Sequence, residues 1–142
     1  MQRLLLPIDG SDCSLRAVRH VIGRVRGSGA GACEIHLINV QPTLPSGVTT
    51  FVSREQVAGY QRDESINALA AGRKLLDEAG IAYQWHADVG PLAETIVQHC
   101  DALKCDEIVM GTRGRTALAD LLMGSTVTRV VHLTKVPVLL VK

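Results

Sequence analysis

Glu107-Ile108-Val109-Met110-Gly111-Thr112-Arg113-Gly114, nine residues to Met123, then Gly124-Ser125: this stretch is an apolar run of strand length that stops at a glycine and leads to a Gly-Ser pair. A strand closed by glycine can turn with positive φ and present its N–H groups without an intervening Cβ. A Gly-Ser pair opening a helix adds free N–H donors, a hydroxyl and the positive end of a helix dipole. The spacing G-x2-G-x9-G-S therefore reads as a phosphate cradle between a buried strand and a helix, although two turn glycines and an ordinary helix cap would share the pattern. The residues after it, Thr126 to Thr134, have strand-like Thr and Val content, but Val127, Val130, Val131 and Thr134 fall at i, i+3, i+4 and i+7. The spacing decides for a helix.

Working outward, the same alternation recurs along the chain. Leu4-Leu5-Leu6-Pro7-Ile8 is a short apolar run ended by Asp9-Gly10-Ser11, and Leu15, Val18, Ile22 and Val25 then repeat at helical spacing. Ile35 to Val40 reads as a second strand, followed by a long loop over Gln41 to Thr50. Ser53-Arg54-Glu55-Gln56 has the form of a capping box for a helix through Ile66, Leu69, Arg73 and Leu76 that stops at Gly80. Tyr83, Trp85 and Ala87 alternate with Gln84, His86 and Asp88, the period of an edge strand with one polar face. Gly90-Pro91 starts a third helix, with proline at its first position, whose buried face is Ala93, Ile96, Val97, Cys100 and Leu103. Val136 to Val141 is the last strand. The order predicts one α/β domain over residues 1–142 with an open five-stranded parallel sheet.

Composition agrees. A chain of 142 residues buries about 70% of its unfolded surface and needs no staples. Aromatics are 3% against 46% hydrophobic residues, so Val, Leu, Ile and Ala build the core, as in buried parallel sheets. A net charge of +1 argues against a general nucleic-acid or membrane surface. From Gly111 onward, however, Arg113, Arg115, Arg129, Lys135 and Lys142 face only Asp120, a local excess that suits an anionic ligand or a solvated basic face. Cys13, Cys33, Cys100 and Cys105 lack zinc or redox spacing, and a metal role would need His99, Cys100 and Cys105 to converge. His20, His36, His86, His99 and His132 form no defensible dyad with serine or cysteine. No apolar run approaches membrane-spanning length and no signal peptide is evident, so the expectation is a cytoplasmic protein. Pro137 removes a ladder donor and places the last strand at a sheet edge; two copies pairing through Val136 to Val141 would cover it, giving an expected homodimer.

These residues resemble the universal stress proteins, in their ATP-binding branch. The glycine loop Gly111-Thr112-Arg113-Gly114 to Gly124-Ser125 is the most specific match; Leu6-Pro7-Ile8-Asp9-Gly10-Ser11, Gly90-Pro91, Asp106 to Gly111 and Val136 to Val141 extend the likeness over nearly the whole chain. The resemblance implies a three-layer, Rossmann-like sheet of the adenine nucleotide alpha hydrolase type with strand order 3-2-1-4-5. It also implies ATP, or ADP or AMP, as ligand, with Mg2+ held by phosphate oxygens and Ser125.

By the same resemblance, Asp9 contacts the nucleoside, Val40 meets adenine through its backbone, and Gly111, Gly114, Gly124 and Ser125 contact phosphates with Met110 and Thr126 flanking. Pro7 and Ile8 lead into Asp9, Pro7 as a strand-end stiffener, and Arg113 is within reach of a phosphate. A carboxylate suits ribose hydroxyls and would repel phosphate. The family's dimers pair through the last strand. The helix after Ser125 departs from the family in its Thr126-Val127-Thr128 content, which leaves its first residue open.

Function follows as a nucleotide-responsive regulatory dimer with an unidentified protein partner and, lacking G-x4-G-K-[ST], at most slow hydrolysis. Two alternatives stand. One is an adenylating enzyme of ATP-pyrophosphatase type, on Asp9-Gly10-Ser11-Asp12-Cys13-Ser14, which has one glycine where two are needed. The other is a dimeric interaction module that needs no nucleotide.

Overall fold

The computed structural model describes residues 1–44, 52–112 and 124–142. β1 (Gln2–Pro7) is central because its apolar core, Leu4, Leu5 and Leu6, is buried on both faces. α1 (Asp12–Ser28) returns the chain to β2 (Cys33–Gln41), and α2 (Arg54–Glu78) leads to β3 (Gln84–Val89). α3 (Leu92–Ala102), β4 (Glu107–Gly111), α4 (Ser125–Leu133) and β5 (Val138–Val141) complete the order. The five strands form one parallel sheet in the order β3-β2-β1-β4-β5, as the sequence predicts.

Period-two alternation sends neighbouring residues of each strand into different layers. Leu4, Leu6 and Ile8 pack with Val18, Val21 and Ile22 of α1 and Leu69 and Leu76 of α2. Leu5, Ile38 and Ile108 pack on the other face with Ala93 and Ile96 of α3 and Val127 and Val130 of α4. Among the described residues no helix is long and apolar enough to cross a membrane.

Local signals hold where partners are near in sequence. Ser53 and Gln56 form the reciprocal capping box, Gln56 N donating to Ser53 Oγ (3.1 Å) and Ser53 N to Gln56 Oε1 (2.9 Å). The stretch after Gly124 is helical, with Val127 and Val130 buried, but Val131 is exposed, so the stripe that meets the core is the i, i+3 pair and not the wider set the spacing suggests. Pro91 is the N-cap of α3 and not its first helical residue, with ψ of 126°. β3 is an edge strand, yet Trp85 is 42% exposed and the polar neighbour His86 is turned inward, the reverse of the alternation expected. Polar partners on β2 and α3, which a period count does not see, draw His86 in. Pro137 stands just before β5 and still serves the sheet, its carbonyl accepting from Ile108 N at 3.0 Å. β5 lies at the opposite edge and its residues are half-buried.

Candidate functional site

In a sheet of this order the chain turns to opposite sides from β1 and β4, leaving a crevice at their carboxyl ends where such sheets take ligands. β1 and β4 pair in register Leu4↔Glu107 and Leu5↔Ile108, and carrying that register forward sets Ile8 level with Gly111. Sequence-distant predicted residues therefore meet: Pro7, Ile8 and Asp9 from one strand end, Met110 and Gly111 from the other.

The β1 end is braced from inside. Ile8 N donates to Ile38 O at 2.8 Å, and Ile8 O accepts from Asn39 Nδ2 at 2.7 Å. Asn39, 3% exposed, also accepts through Oδ1 from Ser65 Oγ of α2 (2.9 Å) and Gln41 Nε2 (2.8 Å). This fully engaged buried amide ties β1, β2 and α2 together just below Asp9. Sequence reading passed over Asn39 and Ser65; the available signal was a polar residue interrupting the apolar run Ile35 to Val40. Val40 itself is buried and pairs with Asp88 of β3.

Beyond Ile8 the chain turns at Asp9 and Gly10. Asp9 Oδ1 accepts from Ser11 N at 2.9 Å, and Gly10 adopts φ +83°, a conformation that L side chains rarely take. Ser11 then caps α1, its Oγ accepting from Ser14 N at 3.2 Å. The start of α1 thus has its own hydroxyl, with Asp12 in its first turn.

At the β4 end Gly111 has a reason the motif did not reveal. A Cβ there would lie 2.6 Å from the carbonyl carbon and oxygen of Cys13, so only glycine lets β4 press against the first turn of α1. Thr112 N donates to Val141 O (3.2 Å), and Gly124 N donates to Thr112 O (2.8 Å). The Gly124 amide is therefore taken by the protein's own backbone, which ties the start of α4 to the end of β4. Gly124 is the N-cap of α4, and it provides no side chain to cap the helix; no acid stands in the first turn. Ser125, Thr126 and Val127 occupy that turn, where amides have no carbonyl within the helix to bond. Arg113 and Gly114, with Arg115 and Asp120, lie outside the described residues.

The local basic excess is smaller than the sequence suggests, because Arg129 Nε bonds Glu94 Oε1 of α3. Glu94 is held below the usual carboxylate range by backbone hydrogen bonding and by Arg129. Cys100 and Cys105 are buried and His99 turns to Asp88 instead, so the three do not converge on a metal; among the described residues no group of three His, Cys, Asp or Glu side chains is placed to hold one.

The crevice thus presents a carboxylate turn after β1, a strand end after Val40 and a helix start without a capping side chain beyond β4. Known proteins agree with the architecture. Residues 1–142 match the profile described as the universal stress protein family. Universal stress protein MJ0531 of Methanocaldococcus jannaschii is 33% identical over 141 residues, which cover 99% of this chain and 82% of the relative. The solved structure of the protein MJ0577 superposes with a TM-score of 0.84 at 28% identity, covering 99% of this chain and 95% of that one. A universal stress protein solved in complex with cAMP shares the fold, with a TM-score of 0.71, 24% identity, and coverage of 99% and 97%. On sequence over its whole length and on strand order alike, this chain belongs to the universal stress protein family.

Proposed function

We propose that this chain binds an adenine nucleotide, ATP foremost and ADP or AMP as alternatives, in the crevice beyond β1 and β4, and works in the cytoplasm as a nucleotide-responsive regulatory homodimer. The observation that carries the reading is the first turn of α4, which has no acid and a glycine for its cap, and which Gly124 N ties to Thr112 at the end of β4, the strand beside β1. An anion is stabilised at such a helix start. The cAMP complex of a protein with this fold supports an adenine ligand.

In this reading Asp9 takes ribose hydroxyls and the Val40 backbone reads the adenine edge. Gly114, Ser125 and Thr126 meet phosphates, with Arg113 adding charge and Met110 and Gly111 forming the floor. The Ser125 hydroxyl and phosphate oxygens would hold Mg2+, which lowers the repulsion between phosphates. With no P-loop lysine, turnover is slow. The dimer forms through Val136 to Val141, whose half-buried edge a second copy would cover.

A second reading, an interaction module without nucleotide, draws on the Gly124 amide being already bonded to Thr112. The adenylating alternative loses ground because Ser11 caps α1 itself, leaving that turn less able to cradle pyrophosphate.

Native mass spectrometry of the purified protein, followed by ATP titration in a thermal-shift assay, tests the proposal. A dimer mass, a carried nucleotide and a Tm rise that Gly114→Val abolishes are expected. A monomer would remove the dimer, and a Tm indifferent to ATP in the unmodified protein would decide for the nucleotide-free module.

A further inference from the structure

Away from the crevice, three histidines from three elements stack into one ladder. Glu34 and His36 alternate on the β2 face that carries Ile38 and Val40, and His36 is only 2% exposed. Its Nε2 lies 2.9 Å from Glu34 Oε1 and its Nδ1 3.0 Å from Nε2 of His86 on β3. The His36 and His86 rings stack with centroids 5.3 Å apart and planes 24° apart. His99 of α3 closes the far side of His86 at 5.8 Å and 50°, and its Nε2 meets Asp88 Oδ2 at 2.8 Å.

Donor counting allows one arrangement with all three rings neutral. A carboxylate only accepts, so His36 donates from Nε2 to Glu34, accepts at Nδ1 from His86 Nε2–H, and His99 donates to Asp88. One proton on the His36–His86 pair is tolerated, since a His86 charged at Nδ1 still donates from Nε2 to His36 Nδ1. A second proton sets two N–H donors facing each other at 3.0 Å against the buried His36 ring. His86, the middle ring, has no carboxylate of its own among these contacts: Asp88 is on His99, and Glu34, already on Arg3 Nε at 3.0 Å, is on His36. Across β3, the facing charge from α2 is also positive, Arg73 lying 4.8 Å over Trp85.

We propose that the His36–His86–His99 ladder is a proton-responsive clamp that fastens edge strand β3 to β2 and α3 when neutral and loosens it when His36 and His86 are both charged. β3 has a single strand neighbour, β2, with which it pairs from Gln84 to Val89, and the ladder adds side-chain contacts to that pairing and to α3. The sign follows from His86, held below its ordinary value of 6.5 first by burial and then by His36 and His99. A histidine depressed in the folded state stabilises it fully above the ordinary value, and that stability drains as pH falls toward the lowered one. Glu34 and Asp88, both lowered by their histidine partners, lose their contribution only in the more acidic carboxylate range. Loosening that sets in below about pH 6.5 and above the carboxylate range therefore tracks His86 and not the two carboxylates.

Amide exchange of the whole chain tests this, with Trp85 to Val89 of β3 read as protection factors against Leu4 to Leu6 of β1. Between about pH 7.5 and about pH 5.5, β3 protection should fall several-fold relative to β1 in the unmodified protein. It should stay level in His86→Gln, whose amide nitrogen replaces the Nε2–H donor without titrating. No relative fall in the unmodified protein, or an equal fall in both, overturns the clamp. Should His86→Gln not fold, imidazole nitrogen spectra of the unmodified protein decide: His86 neutral as the Nε2–H tautomer at about pH 6 supports it, and a ring already charged there refutes it.

Discussion

Two helices begin at the crevice, α1 after β1 and α4 after β4, and they begin differently. α1 starts behind Asp9 with Ser11 as a cap and Asp12 in its first turn. α4 starts on Gly124, with no side-chain cap and no acid in its first turn. Both starts carry the same partial positive charge from aligned peptides. At α1 the protein offsets that charge with its own oxygens; at α4 no cap residue side chain and no acid of the first turn does so. The contrast teaches that a helix start is left open to an anion through what its cap residue lacks, which is why the proposed ligand is oriented with its phosphates toward β4.

The largest way to break this arrangement is to force the two starts apart. Gly111→Val would drive a side chain into the Cys13 backbone, and a loss of about 3 kcal/mol or more in urea unfolding is expected. A stable Gly111→Val would mean that the close approach of β4 to α1 is dispensable. Next, Gly124→Asp gives α4 the carboxylate cap that α1 has in hydroxyl form. The helix should be stabilised by a few tenths of a kcal/mol. ATP affinity should fall on the order of 100-fold, because like charges are brought together. Calorimetry showing undiminished affinity would place the phosphates elsewhere.

Cutting the brace under Asp9 comes third. Asn39→Leu strands the Ile8 carbonyl and the Ser65 hydroxyl in the interior, for an expected cost of about 2 kcal/mol in chemical denaturation. A neutral result would make the buried amide incidental. The smallest change sharpens the contrast: Ser11→Ala should cost about 1 kcal/mol as a lost cap, with nucleotide affinity held within about twofold. A large affinity loss would show that the α1 start also touches the ligand.

Much of this was legible in the chain itself. The capping box at Ser53 and Gln56, the helix at Val127 and Val130 and the edge position signalled by Pro137 depend on residues within a few positions of each other, and all three are found. The family likeness carried Asp9, Val40 and the glycine loop to the crevice as candidates. The inward turn of His86 was not legible, because its partners His36 and His99 come from β2 and α3. Nor was Arg129, whose charge Glu94 claims from a neighbouring helix. Gly111 was read for its freedom to turn and proves to matter for the space it leaves to Cys13.

By itself the sequence determined the five strands, their helices and the glycines that flank the crevice, since apolar period and capping chemistry are properties of neighbouring residues. Tertiary structure alone decided which donors remain to a ligand and which side chains meet. Gly124 N is taken by Thr112 O, Asn39 reaches Ile8, and three histidines stack because the parallel order brings β2, β3 and α3 together. A hydrogen bond is satisfied by whatever stands within about 3 Å, and packing the sheet determines what that is.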